Sequence, residues 1–272
     1  MKIIDFDAKF FEFARKWVAA HPGMTEKQID ESYNRMMQEW VSAPAEWLDG
    51  ACPAEYFKQF TAAEELIALA EGYWEKKINL PEPLYSRIIE LGEACAPRLK
   101  NILCDEERAE QQRAEAMGMM RDIGSVLADD VLIELVCTAD EANELSDMAA
   151  DILSAKGAGI VPRLLDWYPD APDYAQELIL DICCNYPGDE RIYDYLMERL
   201  RNQPERRALN ASCLGKLGDP RAIEPMKAMM QLFDLRYFDY VELRDAVELL
   251  GGEVGEERTF YGDPDYEALR SI

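Results

Sequence analysis

Side chains able to move a proton at neutral pH are scarce here, for the only histidine, His21, sits in a His21-Pro22-Gly23 turn. A Ser–His or Cys–His nucleophile pair would have to be built on it, because imidazole is the side chain that ordinarily titrates near pH 7. No glycine-rich phosphate loop precedes a helix in a strand–turn–helix context. Carboxylates are abundant instead. The neighbours Glu106-Glu107, Asp129-Asp130 and Glu256-Glu257 could flank a glycosidic bond or hold a cation. With 54 acidic residues such neighbours arise by chance, and the spaced ligands of an EF-hand loop are missing around Asp129-Asp130.

The seven cysteines, at 52, 95, 104, 137, 183, 184 and 213, are odd in number and include no C-x-x-C spacing. Six fall in helical patterns beside apolar residues, which predicts reduced, buried thiols. Cys183 and Cys184, as neighbours on a helix, point in different directions and do not readily bridge. The expectation from these residues is a chain that is not an enzyme, with no catalytic group, no metal and no cofactor.

Charge narrows the partners. The formal net charge is −25, and it is unevenly spread: residues 1–80 carry 9 basic and 14 acidic side chains, residues 81–272 carry 20 and 40. Such a surface repels nucleic-acid phosphates and anionic membranes, whereas a basic protein partner matches it in sign. The plain alternative is a solubility charge on a bacterial-type cytosolic protein. Met1 to Asp7 acquires charge at once, and no window approaches the ~20 apolar residues that span a bilayer. A cytoplasmic protein with no nucleic-acid and no membrane partner is expected.

The elements that would position any site read as helices throughout. Phe6 to Ala20 carries apolar residues at three- and four-residue steps and stops at His21-Pro22-Gly23. Thr25-Glu26-Lys27-Gln28 is a capping box opening a second helix that runs through Trp40 to before Pro44. A short helix is expected around Ala54 to Phe60, and Thr61-Ala62-Ala63-Glu64 reads as a second capping box. Four of the five tryptophans precede residue 80, the composition of an apolar cap over the end of a repeat array, or of a binding surface. From Leu84 onward, helix pairs follow one another: 84–91 with 94–103, 107–120 with 129–137, 141–155 with 160–168, 174–185 with 189–200, and 205–217 with 219–233, before a last helix at 237–250. Gly92, Gly157, Gly188 and Gly218 recur in the turns, and Pro97, Pro162 and Pro225 recur early in second helices.

The clearest copy is Leu214-Gly215-Lys216-Leu217-Gly218-Asp219-Pro220-Arg221-Ala222-Ile223-Glu224-Pro225-Met226, where a helix ends on Gly218 and Asp219 caps the next. It resembles the short HEAT-like repeats named after phycobilisome bilin lyases, whose pattern is Leu-Gly-x-Leu-Gly-Asp-x-x-Ala-Ile-x-x-Leu; Met226 stands for the last leucine. The resemblance spans roughly residues 84–250 and is degenerate elsewhere, the Gly-Asp element recurring only as Gly188-Asp189. It implies a right-handed superhelix of antiparallel helix pairs with second helices on the concave face, and binding more often than catalysis. Enzymes on this scaffold fit poorly. The di-iron deoxyhypusine hydroxylases need several histidines, the DNA alkylpurine glycosylases need a basic concave face, and nothing marks a bilin site.

The expected architecture is therefore all-α, a HEAT-like α-solenoid over residues 81–272 preceded by an aromatic-rich helical cap over residues 1–80. The expected function is a non-enzymatic scaffold that binds a protein partner. An acidic inhibitor or immunity-type protein neutralising a basic toxin or nuclease is the first alternative, and an enzyme of unknown type the second. Partner-binding candidates are the second-helix positions off each apolar line: Arg98 and Asn101; Arg163, Asp166 and Trp167; Asp194 and Glu198; Glu224 and Lys227. Each could equally be an ordinary solvated helix position.

Overall fold

The computed structural model describes residues 3–255 and 258–270, and among these all regular structure is helical. The chain divides into two compact units, Met1–Ala128 and Asp129–Ile272. The compositional boundary at 80/81 falls inside the first of them.

The N-terminal unit contains α1 (Phe6–Ala20), α2 (Glu26–Glu31), α3 (Tyr33–Ser42), α4 (Ala63–Glu75), α5 (Glu82–Leu91), α6 (Ala96–Cys104) and α7 (Glu110–Ile123). The capping box at Thr25 and Gln28 forms as expected. The helix it opens is not continuous, however, because it is interrupted at Ser32. There the Ser32 hydroxyl donates to the Gln28 carbonyl at 2.8 Å, and such back-bonding bends a helix. The second expected capping box does not form. The cap position of α4 is Ala62, without a side-chain bond, so Thr61 lies one residue too early. Glu64 and Glu65 in the first turn complement the helix dipole instead. The expected helix at 54–60 reduces to one 3-10 turn, Tyr56–Gln59.

Aromatic packing organises this unit. The Phe6 ring lies 5.3 Å from that of Trp47, 5.4 Å from Phe57 and 6.2 Å from Trp40. Trp17 donates to Glu39 at 2.8 Å and stacks on His21 with centroids 4.0 Å apart, so the single histidine serves the end of α1. Trp74 donates to Glu115 at 2.6 Å, and Tyr73 to the Ile4 carbonyl at 2.7 Å. The early tryptophans are thus spent on internal packing.

The C-terminal unit contains α8 (Asp129–Cys137), α9 (Glu144–Ser154), α10 (Val161–Trp167), α11 (Asp173–Cys183), α12 (Glu190–Asn202), α13 (Arg207–Leu217), α14 (Ile223–Met229), α15 (Tyr237–Leu249) and α16 (Pro264–Arg270). α9 packs on α8 and α11, α12 on α13, and α15 on both α13 and α14. α14 is shorter than the expected 219–233, being preceded by a 3-10 turn at Pro220–Ala222. Pro225 has no N–H to give to the Arg221 carbonyl, so a continuous α-helix from residue 220 would lose that bond. The core is aliphatic and sulfur-rich, with Leu164, Ile179, Cys183, Leu196, Leu214, Met226 and Leu243 all fully buried. Not every cysteine follows the expected burial: Cys104 is exposed and Cys52 half-buried.

Two glycines of the Leu214–Met226 stretch are required for different reasons. Gly218 closes α13 in the left-handed region, with φ +77°. Gly215 lets α15 approach: a Cβ there would lie 3.2 Å from the Cα and Cβ of Ala246 and 3.3 Å from Leu249 Cδ2. A larger side chain would push the two helices apart. Gly215→Val should lower unfolding free energy by about 1–3 kcal/mol, as overpacking does. Gly218→Ala should cost roughly 1–2 kcal/mol through its left-handed backbone alone. Urea unfolding at pH 7 checks both, and an unchanged midpoint for Gly215→Val would refute the close approach.

Candidate functional site

Two helix starts in the C-terminal unit use the same three-residue device. Asp189 and Asp219 each cap a turn by accepting from the backbone N–H two residues on, that of Arg191 (3.0 Å) and Arg221 (2.9 Å). The same carboxylates also accept from the Nε of those arginines, at 3.0 Å from Arg191 and 2.9 Å from Arg221. Each arginine is thereby aimed backwards along the unit. Arg191 reaches Asp166 on α10 at 2.9 Å, and Arg221 reaches Glu190 on α12 at 2.8 Å. Arg221 also lies over the Tyr193 ring, 4.3 Å from its centroid. Arg163 on α10 reaches Asp130 on α8 in the same sense. A ladder of arginine–carboxylate pairs thus joins α8, α10, α12 and the start of α14. The paired arginine holds both Asp189 and Asp219 below the ordinary carboxyl range, chiefly through the side-chain hydrogen bond.

Beside this ladder lies a cleft of about 280 Å³ lined by Tyr168, Gln176, Tyr195, Glu198, Arg199 and Gln203, among others. Tyr168 and Tyr195 stack with centroids 4.0 Å apart. Arg199 is 4% exposed and is held by Asp173 (2.9 Å), Gln176 (2.8 Å) and Glu177 (3.3 Å). Burial raises the pKa of Glu177 above the usual carboxyl value, against the opposing pull of Arg206 at 2.7 Å and of Arg199. Two buried polar atoms here have no hydrogen-bond partner: the donor Arg199 Nε and the acceptor Gln203 Oε1. An unpaired buried group costs about 1–3 kcal/mol, so the cleft carries unspent hydrogen-bonding capacity.

The expected contact residues divide between the units. Arg98 and Asn101 are exposed on α6 of the N-terminal unit, where Arg98 pairs with Glu71 at 3.1 Å. The other seven belong to the C-terminal unit. Asp166 is committed to Arg191 and Arg163 to Asp130, while Glu224 and Lys227 pair with each other at 3.6 Å. Asp194 and Glu198 are exposed one turn apart on α12, and Glu198 is on the wall of the cleft. Trp167 is 44% exposed beside Tyr168. The ladder arginines Arg191 and Arg221 and the buried Arg199 were not among the expected residues. The repeated Asp-Xaa-Arg at 189–191 and 219–221 is the signal that marks the first two.

Asp129 is taken by Lys156 at 2.6 Å and Asp130 by Arg163, whereas Glu256-Glu257 lies outside the described residues. No helix among the described residues is long and apolar enough to cross a membrane. Compared with known proteins, the chain matches no protein-family model and no curated protein sequence.

The lowered pKa of Asp219 has a defined consequence for stability. Its contribution is present above the unfolded value near 3.8 and is lost as pH falls through the lower folded value. Asp219→Ala should cost about 1 kcal/mol at pH 7 by removing the cap. Asp219→Asn should keep most of the cap while losing the extra acid sensitivity below pH 3.8. Urea midpoints of wild type and both variants from pH 7 down to pH 2.5 test this, and parallel acid profiles for wild type and Asp219→Asn would contradict the assignment.

Proposed function

We propose that this chain is a non-enzymatic protein-binding module built on HEAT-like repeats, and that its C-terminal unit receives an extended basic segment of a partner along the edge formed by α10 and α12. The observation that carries the reading is the unpaired couple in the cleft. Arg199 Nε lacks an acceptor and Gln203 Oε1 lacks a donor. Both residues line the cleft, so a bound main-chain carbonyl and N–H, met by a turn of these buried side chains, would supply the missing partners. The Tyr168–Tyr195 stack gives an aromatic wall for a side chain, and half-exposed Trp167 extends it.

Charge supplies the preference for a basic segment. Asp194 and Glu198 project from one face of α12 with no arginine of the ladder on them, and Asp166, 72% exposed, is only singly answered by Arg191. Lysine or arginine side chains flanking the bound main chain would meet these carboxylates. Support for the repeat assignment is the recurrence of a turn glycine followed by a capping aspartate, at Gly188-Asp189 and Gly218-Asp219, each starting a helix linked by arginine to the helix two before it. The surface is acidic enough for the partner to be drawn in by long-range attraction, and equally to exclude duplex DNA.

The test is binding of fluorescently labelled peptides of mixed sequence, rich in lysine and arginine, to the full chain. Affinity should fall as salt rises from 50 to about 500 mM, since exposed pairs are screened within a Debye length. Asp194→Lys with Glu198→Lys should weaken binding roughly 10-fold or more, while Glu144→Lys with Glu248→Lys, on exposed positions of α9 and α15, should change it less than about 3-fold. Gln203→Leu should weaken it at every salt concentration, because that contact is not ionic. Equal effects of the two charge pairs would reduce the attraction to net charge, and tight binding of duplex DNA would overturn the reading.

A further inference from the structure

The sequence offers no clustered metal motif, yet the fold brings Cys213 beside Asp181 and Cys184, about 30 residues before it. We propose that Asp181, Cys184 and Cys213 form a zinc-type metal site joining α11 to α13. One ligand atom from each residue lies within 4.8 Å of the other two. Cys184 is 0% and Cys213 2% exposed, while Asp181 stands at the solvent side. Asp181 and Cys184 are three residues apart at the end of α11, and Cys213 and Lys216 are three apart on α13, so each pair shares one helix face.

The chemistry of the set points to a borderline-soft divalent ion. Two thiolates and one carboxylate are zinc ligands, with Zn–S near 2.3 Å and Zn–O near 2.0–2.2 Å in tetrahedral sites. Tetrahedral geometry at those lengths places the two sulfurs about 3.7 Å apart, and the three ligand atoms already lie within 4.8 Å of one another. The Cys213 Sγ already lies 3.9 Å from Asp181 Oδ1. No fourth His, Cys, Asp or Glu joins the group among the described residues, which leaves water for the remaining position.

Charge balance favours the ion over the empty site in its ionised form. Lys216 Nζ sits 2.8 Å from Asp181 Oδ1. Two thiolates and the carboxylate carry three negative charges, which a divalent ion and the Lys216 ammonium cancel. Without the ion, ionised sulfurs would be buried charges with the Lys216 ammonium, already engaged by Asp181, as their nearest compensation. On metal binding the two S–H bonds break, two metal–sulfur bonds form, and two protons pass to solvent. Lys216 stays on one carboxylate oxygen while the other turns to the ion.

The experiment uses the full chain, stripped of metal with chelator under reducing, oxygen-free conditions and titrated with Co²⁺ alone. One equivalent should produce a near-ultraviolet thiolate-to-cobalt charge-transfer band and visible d–d bands of tetrahedral intensity, both abolished by adding Zn²⁺. Cys184→Ser and Cys213→Ser should each weaken metal binding by roughly 100-fold or more, whereas Cys104→Ser, at an exposed position outside the site, should not change it. Lys216→Met should weaken binding by about 10-fold as a charge-balancing neighbour. Because the serine variants remove buried groups, their folding is checked by circular dichroism, and a Zn²⁺-dependent rise in the urea midpoint of the unmodified chain gives an independent reading. The proposal is overturned if the unmodified chain shows no charge-transfer band, if the band survives in Cys184→Ser and Cys213→Ser, or if thiol counting finds these two cysteines joined as a disulfide in the reduced preparation.

Discussion

A single carboxylate at each of two helix starts shapes much of the C-terminal unit. Asp189 and Asp219 each do two things with the same pair of oxygens: they satisfy an orphan N–H at the first turn and they fix the guanidinium two residues later. The first action ends the preceding turn and sets the direction of the new helix. The second spends the rotamer freedom of a long arginine locally, before it reaches across to Asp166 or Glu190. An exposed ion pair is usually worth only about 0–1 kcal/mol because two flexible side chains must be held together. Here part of that ordering is shared with the cap, so the ladder specifies the spacing of α10, α12 and α14 even where it adds little energy.

The same economy explains how a chain with nearly twice as many acids as bases can fold. One cluster of its buried charge brings Arg199 and Glu177 together with Asp173, Gln176 and Arg206 around them. Replacing such a network with apolar groups is often neutral for stability, whereas breaking it is costly, so its presence argues for specificity of packing or for a use. Its position at the wall of a cleft, with one donor left over, is what directs attention there rather than to the cleft of about 300 Å³ lined by Tyr193 and Arg221. That second cleft already holds its own cation over an aromatic ring and caps formed by its own aspartates.

Much of the helical order was legible from local rules, and the failures have local causes. α8 runs over the residues expected from its apolar spacing, and Gly218-Asp219 does what a left-handed stop and a cap should do. The run from Asp219 to Phe233 is shorter in the structure, because a continuous helix would carry Pro225 beyond its first turn; the 3-10 turn at Pro220–Ala222 lets the α-helix start at Ile223, with Pro225 as its third residue. Gly262-Asp263-Pro264 repeats the chemistry of Gly218-Asp219-Pro220, and Asp263 accepts from the N–H groups of Asp265 and Tyr266 to start α16. That helix follows the same rule, although no apolar periodicity marks it in the sequence. The site was less legible. Asp194 and Glu198 could be placed on an exposed face from periodicity, but Arg191, Arg199 and Arg221 gain their roles from partners 22 to 31 residues away.

Cysteine shows the limit of sequence spacing most clearly. A metal motif is recognised when its ligands are close in the chain, as in C-x-x-C, because one turn then holds them. In stacked helices the equivalent turn is supplied by the repeat itself. Asp181-Xaa-Xaa-Cys184 and Cys213-Xaa-Xaa-Lys216 each look unremarkable, and an odd, scattered set of seven thiols reads as core filling. Only the packing of α11 beside α13 turns two half-sites into one, with a third group at the rim and a lysine to balance the charge. The acidic surplus then has a consequence that composition alone conceals. In a chain with so many carboxylates, a metal ion finds weak oxygen sites everywhere on the surface, and selectivity has to come from sulfur that is buried and already paired. That condition is met by Cys184 and Cys213, whereas Cys183, equally buried and adjacent in sequence, is no part of the group.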